Sequence, residues 1–103
     1  VFSFISEFNR TFAANATLGS DHAWGTHQIV MGGPVKGGKV FGLFPTPILG
    51  GPDDWASSGI WVPSTPSVQF AADLATWFGV PSSSLVDAFP LLASFPNTPI
   101  GFV

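Results

Sequence analysis

Apolar residues occur along this chain in short runs cut by Gly, Pro and small polar residues. Val1-Phe2-Ser3-Phe4-Ile5 is β-prone and predicts a buried strand. It gives way to the polar segment Ser6-Glu7-Phe8-Asn9-Arg10-Thr11, and Ala13 to Ser20 is small and polar, which predicts a loop. Asp21-His22-Ala23-Trp24-Gly25-Thr26-His27 leads into a second apolar run, Gln28 to Met31. Gly32-Gly33-Pro34 and Gly37-Gly38 bracket a turn with Lys36 and Lys39, and Val40 to Phe44 predicts a third strand. Pro, Gly, Asp and Ser dominate Pro45 to Pro63, which reads as loop.

Helical spacing begins only in the last third. Val68, Ala71, Ala72, Ala75 and Phe78 recur at that spacing, with Thr65 as cap, Pro66 in the first turn, and Gly79 and Pro81 beyond the end. A second short helix is expected over Ser83 to Phe89, capped by Ser82 and stopped by Pro90. The tail from Phe95 to Val103 carries Pro96 and Pro99 and reads as extended. There is no internal repeat. Short strands followed by two helices make a mixed α/β pattern, yet no crossover helix separates the first strands, as a parallel sheet would need. The organisation is that of a single partial domain over residues 1–103. Strands and loops occupy 1–63, helices 64–92 and an extended tail 93–103.

Composition narrows the function. Of 103 residues only 9% are charged, against about 25% in an ordinary soluble domain. Three basic side chains cannot build the stripe that phosphate-backbone binding requires, which excludes nucleic acid as a partner. A hydrophobic content of 46% with a net charge of −3 argues against disorder. No apolar run approaches the roughly 18 to 20 residues of a transmembrane segment. Without Cys there is no disulfide and no thiolate metal site. No signal peptide is visible, and the Val start predicts a processed product, a cloned fragment or an incomplete reading of a longer chain. Eleven Phe and four Trp on so uncharged a chain predict a partner surface.

The candidate chemistry sits early. Asp21, His22 and His27 are a carboxylate and two imidazoles within seven positions, the donors that zinc, manganese or iron takes. The plainer reading is an Asp that caps a turn and a His that packs on Trp24. Glu7 follows a strand, where active-site carboxylates of α/β proteins gather, or is a solvated loop residue. Arg10 is suited to hold an anion by paired hydrogen bonds, or to pair with Glu7. Turn formation accounts for Asp53-Asp54, and capping for Ser82-Ser83-Ser84. Asn9-Arg10-Thr11 and Asn15-Ala16-Thr17 match the N-glycosylation sequon, a pattern common by chance.

The order of motifs adds a resemblance. The segments 6–11, Ser20-Asp21-His22-Ala23-Trp24-Gly25-Thr26-His27-Gln28 and Met31-Gly32-Gly33-Pro34-Val35-Lys36-Gly37-Gly38 are followed by Gly50-Gly51-Pro52-Asp53-Asp54. Trp61-Val62-Pro63-Ser64-Thr65, Trp77-Phe78-Gly79-Val80 and Ile100-Gly101-Phe102 continue the series. Together they resemble the C-terminal part of domain-of-unknown-function family 1501, a sulfatase-like branch of the alkaline-phosphatase superfamily, over nearly the whole chain.

The resemblance implies the C-terminal portion of an alkaline-phosphatase-like three-layer α/β fold, with a divalent-metal site at the ends of central strands. Zinc, manganese, magnesium and calcium are the metals it admits. It implies phosphate or sulfate ester hydrolysis, with Glu7, Asp21, His22 and His27 as the metal-ligand set and Arg10 as the anion contact. Phe8 stands where the superfamily has a second ligand. Asn9 replaces a Gly, Val68 replaces an Asp, and no Arg precedes Trp61. The nucleophile falls in an upstream portion, so these 103 residues are expected to be inactive alone. Partners are then the upstream part of the same protein or other copies of the chain, in a secreted or periplasmic setting. The competing reading is a structural subunit that self-assembles into an oligomer or filament through low-charge apolar surfaces.

Overall fold

A computed structural model of the chain describes residues 1–95 and 99–103. Among the described residues it is a mixed α/β structure of four short strands and two α-helices. The strands are β1 (Phe2–Phe4), β2 (Asn9–Arg10), β3 (His22–Ala23) and β4 (Ile29–Met31). They form two separate two-stranded antiparallel ladders, β1 with β4 and β2 with β3. The helices are α1 (Ser67–Phe78) and α2 (Leu85–Ala88), with 3-10 turns at Ser82–Ser84 and Pro90–Ser94. Among the described residues no helix is long and apolar enough to cross a membrane.

The chain divides into two compact units. One comprises residues 2–31 and 44–64. In it β1 and β4 pair Phe2 with Met31, Ser3 with Val30 and Phe4 with Ile29. Side chains alternate across a ladder, so Phe2, Phe4, Ile29 and Met31 share one face, and all four are exposed. The first strand therefore forms where expected but is not buried. A two-stranded ribbon has too little sheet around it to cover both faces.

The buried centre of this unit is made by Ala23 and Trp61, with Phe12 packed at 6.1 Å from the Trp61 ring. Gly59 lies against Phe12 with φ +82°, and a Cβ there would stand 2.2 Å from Phe12 Cβ. Only glycine allows both that backbone conformation and that approach.

The other unit comprises Val1 and residues 32–43 and 65–103. Pro66 precedes α1 in an extended conformation, so it is the residue before the helix rather than part of its first turn. Gly79 ends α1 at φ 109°, where its N–H donates to Thr76 and that of Val80 to Ala75. These two bonds satisfy carbonyls the helix would otherwise leave unpaired. The buried face of α1 carries Gln69, Ala72 and Asp73, whereas Phe78 is 83% exposed. The covering element explains the shift: the closing segment lies over the 69–73 face, with Phe102 stacked on Phe70 at 5.1 Å. Leu92 and Phe102 complete the buried centre.

Two further expectations differ from the structure. Val40 to Phe44 is not a strand: Gly42 adopts φ +83°, outside the β region, and Val40, Leu43 and Phe44 are exposed. Pro90 does not simply stop a helix but opens the 3-10 turn, since its fixed φ suits a first helical position. Of the expected extended tail, Pro96 to Thr98 lie outside the described residues, and Ala93 and Ser94 belong to that 3-10 turn.

Candidate functional site

The early polar residues come together on the β2–β3 ladder. Asn9 pairs with Ala23 and Arg10 with His22. Alternation puts Ala23 on the inner face, where it is 3% exposed, and leaves Arg10 and His22 opposed on the outer one. Phe8, two residues before Arg10, joins them. Its ring lies 4.5 Å from that of His22, and the Arg10 guanidinium carbon sits 5.4 Å above its centroid. A cation over an aromatic face is held electrostatically at that distance. Arg10 also donates from Nη1 to the Ser20 carbonyl at 3.3 Å. Among the described residues no ion pair joins it to Glu7, which is exposed ahead of β2.

The loop between these strands is closed by backbone and side-chain bonds together. Thr11 N–H donates to the Asp21 carbonyl at 3.0 Å, and Asp21 N–H returns a bond to Thr11 Oγ1 at 3.1 Å. Asn15 Oδ1 accepts from Thr17 N–H, Thr17 Oγ1 and Gly19 N–H. Its Nδ2 donates to Asp21 Oδ1 at 2.8 Å. Asp21 thus helps close the loop while standing next to His22. The second sequon asparagine is the hub of the same loop.

His27 is engaged elsewhere, stacked on Phe44 at 4.7 Å and 27°. Neither imidazole packs on Trp24, whose ring pairs instead with Trp55 at 4.8 Å. Among the described residues no three His, Asp or Glu side chains converge as a metal-ligand group. What the fold brings together is Arg10 with His22, and Asp21 beside them in sequence.

Two carboxylates organise the 44–64 loop. Asp53 Oδ2 accepts from Thr46 N–H at 2.8 Å. Asp54 accepts from the backbone N–H groups of Gly50, Ala56, Gly59 and Ile60. Desolvation pushes the Asp54 carboxyl upward, and the backbone donors from Gly50, Gly59, Ala56 and Ile60 outweigh it, leaving its pKa below the ordinary aspartate value. Turn formation is indeed what this acidic pair does.

Among the described residues the most buried polar side chain is one that the sequence pattern does not single out. Asp73, on α1, is 2% exposed and accepts backbone N–H bonds from Ile100, Gly101 and Phe102. Lys36 serves the same segment from its carbonyl side. Its Nζ donates to Gly101 and Val103 at 2.9 and 3.0 Å, and its own N–H donates to the Phe102 carbonyl. The basic turn is therefore a clasp on the closing segment. One signal was available: Asp73 stands four residues after Gln69 and next to Ala72, within reach of an apolar stripe.

The fold defines a mixed α/β chain with a polar hairpin face open to solvent. Residues 1–49 match the model of a family described as Protein of unknown function (DUF1501). That span holds Glu7, Arg10, Asp21, His22 and His27 and the Gly-rich turn, while the motifs at Gly50–Asp54, Trp61–Thr65, Trp77–Val80 and Ile100–Phe102 lie beyond it. No curated protein and no solved structure matches the chain.

Proposed function

We propose that this chain forms part of a metal-dependent phosphate or sulfate ester hydrolase-like protein of sulfatase-like, alkaline-phosphatase type, working in a secreted or periplasmic setting. The observation that carries the reading is the β2–β3 face, where Arg10 and His22 stand opposed with Asp21 beside His22. His22 and Asp21 are donors suited to a divalent cation, and a guanidinium across the ladder suits the anionic ester. Zinc usually takes four ligands, so the described residues offer part of a set and the remainder comes from elsewhere in the protein. Glu7 is the next donor in the chain, and His27 would join only by leaving Phe44. A bound metal supplies polarisation of the ester and activation of the attacking oxygen. In the intact protein, metal content measured for His22→Ala and His27→Ala tests the reading. Loss of metal in His22→Ala is expected, and full retention in both variants overturns it.

A second reading is a subunit that self-assembles. The exposed Phe2, Phe4, Ile29 and Met31 face of the β1–β4 ribbon favours it, since neither strand carries a charged side chain or a proline to blunt its edge. Sedimentation of the purified chain decides: oligomers are expected, and a stable, monodisperse monomer refutes it.

A further inference from the structure

We draw no further inference here: the strongest candidate, the exposed pair of Trp24 with Trp55 of the loop that Asp54 holds, is an apolar patch and nothing in the structure shows what covers it.

Discussion

Asp73→Asn tests the claim that one carboxylate holds the closing segment against α1. Asp73 Oδ1 accepts from Ile100 N–H at 3.0 Å, and Oδ2 accepts from Gly101 and Phe102. An asparagine keeps only one acceptor oxygen. Turned to retain the Gly101 and Phe102 bonds, it sets its NH2 group against the Ile100 N–H. A hydrogen bond to a charged group contributes about 1.5–3 kcal/mol, and the two retained bonds weaken because their acceptor is now neutral. Burying an amide in place of a carboxylate returns part of this, so the net loss is about 2 kcal/mol. With a urea slope of about 2 kcal/mol per molar, the midpoint moves down by about 1 M. Urea unfolding followed by far-UV circular dichroism, dominated by α1, reads the shift. Amide exchange at Ile100, Gly101 and Phe102 reads the local cause. Asp87→Asn, at an exposed position of α2, serves as control and is expected to change stability by less than about 0.5 kcal/mol. A midpoint shift below about 0.2 M in Asp73→Asn, with protection of those amides intact, refutes the reasoning.

Lys36→Met removes the two bonds to Gly101 and Val103 but leaves the Lys36 backbone bond, so a loss of about 1 kcal/mol is expected in the same urea assay. Gly59→Ala places a methyl group on Phe12 at a left-handed φ and is expected to lower stability by about 2 kcal/mol or more, read by thermal melting. Asp54, whose pKa is lowered on folding, contributes stability that is fully present above the unfolded-state pKa of about 3.9 and is lost as pH falls through the lower folded value. Carbon-13 titration of its carboxyl group locates that step, and Asp54→Asn is expected to remove it from the acid-unfolding profile.

Legibility in the sequence followed the range of the interactions involved. Helix α1 was readable because its apolar spacing and the Gly79 terminator are local, and it formed at nearly the expected bounds. Its buried face was not readable. Which side of α1 is covered depends on Phe102 and on Asp73 bonding residues 27 to 29 positions away. The β2–β3 ladder was invisible for the same reason: Asn9-Arg10 and His22-Ala23 are polar and two residues long, and only their pairing makes them strands. Val40 to Phe44 erred in the other direction. Its composition is that of a strand, but Gly42 turns the backbone away. Of the candidate site, the residues Arg10, Asp21 and His22 were legible. The separation of His22 on Phe8 from His27 on Phe44 was not, because a stacking partner leaves no spacing signal.

Four of the six acidic side chains, Asp21, Asp53, Asp54 and Asp73, spend a carboxylate oxygen on N–H groups of the chain itself. Lys36, one of three basic residues, does the matching work on carbonyl oxygens. These bonds orient the charges without cancelling them, because the partners are neutral, so the net charge of −3 stands. Spread over 103 residues of which only 9% are charged, that charge gives an approaching molecule little long-range pull to orient it. Encounters with this chain are then expected near the unsteered rate of about 10⁵–10⁶ M⁻¹s⁻¹ with a shallow dependence on ionic strength, which leaves selectivity to shape and dehydration after contact.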